Sequence, residues 1–102
     1  MINKYSGENF KEMISEGVTL VDFFATWCGP CQMLMPEFEK LAANTEGVKF
    51  VTVDIDQYRD LAINSGVKSV PTLVLFKDGV ELSRRSGFAP EAQLAKWIEK
   101  EI

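Results

Sequence analysis

Val18-Thr19-Leu20-Val21-Asp22-Phe23-Phe24-Ala25-Thr26-Trp27-Cys28-Gly29-Pro30-Cys31 is the stretch on which the fold turns. Val18 to Ala25 is an apolar run that reads as a buried strand, and the only two cysteines of the chain follow it at once, opening a predicted helix from Cys28 to Thr45. Two thiols separated by two residues in the first turn of a helix are neighbours, close enough for a disulfide without backbone movement. Unpaired N–H groups and the positive dipole end at a helix N-terminus stabilise a thiolate, and such settings bring a cysteine pKa from about 8.5 into the range of roughly 3.5–7.5. The first cysteine gains most, so Cys28 is the expected attacking thiolate and Cys31, one turn deeper, the expected resolving thiol. A structural staple is the competing reading, but closing so short a ring gives only about 2 kcal/mol, against about 4.7 for a 100-residue loop. Zinc is poorly served, because tetrahedral sites want four ligands and the chain has two cysteines and no histidine.

Composition narrows the function classes further. With 102 residues, 46% of them hydrophobic, the chain is predicted to form one domain, residues 1–102, whose core needs no stapling. Eleven basic against 15 acidic residues leave a net charge of −4 and no basic cluster, which argues against nucleic acid and anionic membranes as partners. Met1-Ile2-Asn3-Lys4-Tyr5 does not read as a signal peptide, and no run approaches the roughly 18 apolar residues of a membrane span, so a cytoplasmic protein is expected. In that reducing compartment a thiol pair is more often catalytic or metal-binding than structural.

Along the chain, elements alternate. A brief strand is predicted at Ile2 to Tyr5, and a short helix with Phe10, Met13 and Ile14 on one face follows the turn-prone Ser6-Gly7. Leu34, Phe38 and Leu41 mark the buried face of the Cys28–Thr45 helix, which ends at Gly47 and carries Pro36 as an expected kink. A third strand is read at Phe50, Val51, Val53 and Ile55, a helix at Tyr58 to Ser65 stopped by Gly66, and a fourth strand at Thr72 to Phe76. Asp78-Gly79 makes a hairpin turn into Val80 to Ser86. Pro90 opens a last helix with Leu94, Trp97 and Ile98 on its core face. This is an α/β layer pattern, and open sheets of that kind place their sites at strand ends, here at the cysteines.

Two residues stay ambiguous on this reading. Asp22 interrupts the apolar strand: it is either a solvent-facing carboxylate or a buried acid whose pKa is raised by desolvation, suited to accept a proton from Cys31. Pro71 reads as a trans proline before a strand, since only about 5–6% of X–Pro bonds in folded proteins are cis.

Val21 to Cys31, the Val70-Pro71-Thr72 step and Gly87 together resemble the thioredoxin family, nearly end to end. The resemblance implies the thioredoxin fold, a central mixed sheet of about five strands flanked by about four helices. It implies a protein-disulfide reductase, a dithiol electron carrier with no bound cofactor beyond the redox-active Cys28–Cys31 disulfide. Its implied partners are disulfide-containing client proteins and an NADPH-dependent flavoprotein, thioredoxin reductase; a monomer suits such a carrier. It places a buried acid at Asp22 and a cis bond before Pro71, facing the redox pair with the Val70 backbone free to pair with an extended substrate. Trp27, Gly29, Pro30, Val70, Gly87 and Phe88 are the expected apolar rim, with strand-end packing as the alternative for Trp27. Trp97 belongs to the core by its spacing, and Met1, Met13, Met33 and Met35 show no metal-ligand pattern.

Three residues depart from the commoner family pattern. Phe24 stands where many relatives have a second tryptophan, and Gln32 where lysine is frequent. Thr52 stands where a lysine often accompanies the buried acid, which predicts a larger upward shift for Asp22 than in lysine-bearing relatives. A thiol oxidase or disulfide isomerase shares the fold but generally carries a histidine between the cysteines, and a non-catalytic binding subunit is the other alternative.

Overall fold

Strand β2 (Val18–Phe24) is buried from Thr19 through Phe23, so it takes a place where both faces are covered. The computed structural model describes residues 1–102. Around β2 lie β1 (Ile2–Lys4), α1 (Phe10–Met13), α2 (Gly29–Asn44), β3 (Val48–Asp54), α3 (Arg59–Asn64), β4 (Thr72–Lys77), β5 (Val80–Ser86) and α4 (Glu91–Glu101). The strands form one sheet in the order β1-β3-β2-β4-β5. β3 runs parallel to both β1 and β2, whereas β4 is antiparallel to β2 and to β5. This is the mixed five-stranded sheet with four helices that the family resemblance implies. No helix is long and apolar enough to cross a membrane.

Side chains alternate across a strand, and β2 sorts them into two cores. Leu20 joins Leu34, Phe38 and Leu41 of α2 and Leu94 and Ile98 of α4 on one face. Val21 and Phe23 join Ile14, Val51, Val53 and Ala62 on the other. Phe38 and Phe50 meet edge to face at 5.5 Å within the first core. The same alternation puts Asp22 on the face of Leu20, the face that α2 covers.

Capping moves several boundaries from their sequence-based positions. α1 starts after Asn9, whose Oδ1 accepts from the Glu12 amide at 3.1 Å, rather than from Ser6-Gly7. Cys28 is the cap of α2 rather than its first helical residue, and α2 runs on through Pro36 as one helix to Asn44. Pro90 likewise caps α4 from outside instead of lying in its first turn. It has no side-chain acceptor, and Glu37 of α2 supplies one, its Oε1 accepting from the Glu91 amide at 2.9 Å. Asp78 and Gly79 both adopt positive φ, as the tight hairpin between β4 and β5 requires. Trp97 is half-buried against the first core, and its indole N–H donates to Ser83 Oγ at 3.0 Å.

Candidate active site

β2 delivers the chain to the edge of the core, and the next residues build the site. Cys28 and Cys31 are joined by a disulfide, with Cα atoms 5.2 Å apart, and both are almost fully buried. Cys28 has extended backbone and its sulfur accepts from the Cys31 amide at 3.2 Å, so the atom that caps α2 is also the outer sulfur of the pair. Gly29 and Pro30 fill the first two helical positions, where the proline's missing N–H costs nothing. Added methyl groups at Gly29 or Gly87 would meet nothing within 4 Å, so both glycines leave open space at the mouth of the site.

A second segment closes on the pair from across the sheet. The Val70–Pro71 peptide is cis. Val70 packs against the small cluster of Ala25, Cys28 and Cys31, together with Phe24 and Ile55. Its carbonyl oxygen lies 3.6 Å from Cys28 Sγ. Neither its amide nor its carbonyl pairs with another backbone group. Pro71 is buried, and its carbonyl accepts from the Gly87 amide at 2.9 Å, which draws the end of β5 to the site. Gly87 has φ +89°, a conformation that a side chain would strain.

Asp22 is fully buried on the strand leading to the cysteines, and neither carboxyl oxygen has a hydrogen-bond partner. Burial pushes its pKa up to about 7 from the ordinary 3.8. Of the two sequence-based readings, the solvent-facing carboxylate is therefore wrong. Thr52 sits beside it in register on β3, also buried, and brings no charge. A pKa raised toward neutrality suits this acid both to take a proton and to return one.

The rim is less uniform than the family resemblance implies. Trp27 does not pack on the strand end; it is 68% exposed, with its indole N–H donating to Asp56 Oδ2 at 2.8 Å. Asp56 went unnoticed in the sequence. It is held by a turn in which Asp54 Oδ1 accepts from the Asp56 and Gln57 amides at 2.9 and 3.3 Å. Trp27, Ile55, Val67, Lys68, Ser69 and Val70 line an open groove of about 340 Å³ beside the disulfide. A smaller apolar cavity of about 230 Å³ touches Cys31 from the other side, between Phe24, Gln32 and Met35. Phe88, just beyond Gly87, is 43% exposed. No group of three or more histidine, cysteine, aspartate or glutamate side chains is placed to hold a metal.

The thioredoxin family model matches residues 1–100. The chain belongs to the thioredoxin family. Thioredoxin of Chlamydia trachomatis serovar D is 47% identical over 100 residues, covering 98% of each chain. Thioredoxin of Staphylococcus saprophyticus is 43% identical over 102 residues, covering 99% of this chain and 98% of the relative. The crystal structure of a Nicotiana alata thioredoxin superposes with a TM-score of 0.88 at 34% identity, covering 98% of this chain and 91% of that one. A Malassezia sympodialis thioredoxin superposes with 0.84 at 33% identity, covering 99% and 90%. Thioredoxins are dithiol oxidoreductases, and Cys28–Cys31 is the redox-active disulfide of this member of the family.

Proposed function

We propose that this protein reduces disulfides in other proteins, with Cys28 as the nucleophile, Cys31 as the resolving thiol and Asp22 as the proton acceptor. In the dithiol state the α2 N-terminus and the Cys31 amide favour the Cys28 thiolate. That thiolate attacks one sulfur of a client disulfide, expelling the other client sulfur as a thiolate and leaving a mixed disulfide on Cys28. Cys31 then gives up its proton toward Asp22 and attacks Cys28 Sγ, releasing the second client thiol and closing Cys28–Cys31. Two electrons pass from this chain to the client, and an NADPH-dependent thioredoxin reductase is the proposed source that restores the dithiol.

The observation that carries this reading is the placement of Cys28 Sγ, capping α2 on one side and 3.6 Å from the unpaired Val70 carbonyl on the other. A client segment laid along Val70 as an added strand would bring its own disulfide onto that sulfur. Trp27, Pro71 and the open space at Gly29 and Gly87 frame such a segment, with Phe88 at its margin. Backbone pairing of this kind selects weakly among sequences, so many clients are expected. Residues 1–102 would work as one domain, a monomer in the cytoplasm, without nucleic acid or membrane.

Cys31→Ser tests the assignment of roles. It should accumulate the Cys28 mixed disulfide with a disulfide-bonded protein such as insulin, whereas Cys28→Ser should form none. Accumulation on Cys31 instead would overturn it. The reduction potential of the pair separates reductase from oxidase or isomerase: about −250 mV or below supports the reductase, and above about −200 mV refutes it.

A further inference from the structure

The groove wall that carries Val70 begins at the end of α3, where a side chain from β5 anchors it. Gly66, at φ +71°, ends the helix, with the Gly66 amide donating to the Ile63 carbonyl and the Val67 amide to Ala62, both at 3.0 Å. This arrangement leaves the Ser65 and Gly66 carbonyls without a partner from the helix. α3 also has no basic residue in its last turn to answer the negative end of its dipole. Arg84, on β5, supplies both needs. Its Nη2 donates to Ser65 O at 2.9 Å and its Nη1 to Gly66 O at 3.4 Å.

The guanidinium is itself held in plane. Glu81, three residues earlier on the same strand, accepts from Arg84 Nε at 2.7 Å and from Nη2 at 2.8 Å, a two-pronged pair that lysine cannot reproduce. At the other end of the loop, Thr72 Oγ1 donates to Ser69 O at 2.7 Å and lies 3.1 Å from Ser86 Oγ. Gly87 bonds Pro71. The segment from Ser65 to Pro71 is thus tied at both ends to β5, the outer strand of the sheet, and between the ties it offers Val67 to Val70 to the groove.

We propose that Arg84, locked by Glu81, is a positioning residue for client binding: it fixes the Ser65–Val70 loop and so the backbone face presented beside Cys28. This rests on the reading that an extended client segment lies along Val70. Nothing in the chemistry at sulfur involves Arg84, so its loss should separate binding of a protein client from reactivity of the cysteines.

The test compares two substrates in the full chain. With Arg84→Ala, KM for insulin reduction should rise about fivefold or more with kcat little changed, and amide exchange should quicken at residues 66–70. The rate with a small aromatic disulfide, which needs no loop, and the reduction potential should stay at parental values. Arg84→Lys should recover little, since it restores charge without the fork, and Glu81→Gln should move KM in the same direction by less. An unchanged KM in Arg84→Ala, or an equal loss on both substrates, overturns the proposal. Absence of insulin reduction by the parent chain would instead overturn the reductase reading itself.

Discussion

Asp22 and Thr52 lie side by side in the β2–β3 ladder, both buried, and the carboxyl group takes no hydrogen bond from its neighbour or from anything else. A charge placed at residue 52 would therefore act on Asp22 across a short, water-poor gap.

Thr52→Lys should lower the Asp22 titration from about 7 by one unit or more, because a nearby ammonium favours the carboxylate. NMR titration of the side-chain carboxyl measures it directly. A midpoint at or above that of the parent chain would show that the lysine has turned away to solvent.

Stability should follow the same proton. Between the unfolded value near 3.8 and the folded value near 7, the native state holds a proton that the unfolded chain has lost. Unfolding free energy therefore falls as pH rises through that window, is greatest below it and levels off above it. The full effect is on the order of 4 kcal/mol, a gap of roughly three units. Asp22→Asn should gain on the parent chain by part of that amount at pH 8 and by little at pH 4, in paired urea titrations. The same variant should slow the release of mixed disulfide without slowing its formation.

Asp56→Ala removes the acceptor of the Trp27 indole. The loss in stability should stay below about 1 kcal/mol, as for other exposed hydrogen bonds. Release of Trp27 should be visible in its fluorescence anisotropy, with the Trp97 contribution removed by Trp97→Phe.

Phe38→Ala should cost about 3–5 kcal/mol, since the ring is fully buried and packed on Phe50. Met33→Ala, at a residue of the same helix that is 59% exposed, should change stability by no more than about 0.5 kcal/mol.

The alternation of strands and helices was legible because hydrophobic period is a local property, and β2 announced itself through eight nearly unbroken apolar positions. Element ends were less so. Cys28, Asn9 and Pro90 each stand just outside their helices, and capping depends on backbone angles that composition does not display. The cysteine pair and the acid before it were visible for the same local reason. The bond from Trp27 to Asp56 was not, although an aspartate two residues beyond Asp54 is a turn signal, because no local pattern pairs an exposed indole N–H with an acceptor on another loop. Arg84 offered no signal at all. It meets Ser65 and Gly66 across 18 or 19 residues of chain, and only the sheet order brings β5 beside the end of α3.

The sheet itself has two open borders. One is β1, three residues long; the other is β5, which carries Glu81, Arg84 and Arg85. A border that is short or charged is a poor template for another chain's strand, and so self-assembly into ribbons of stacked sheets is discouraged at both sides. Resistance to aggregation is thereby secured along the borders, while the unpaired backbone left available at Val70 lies in the loop before β4 and outside the ladder of either edge strand.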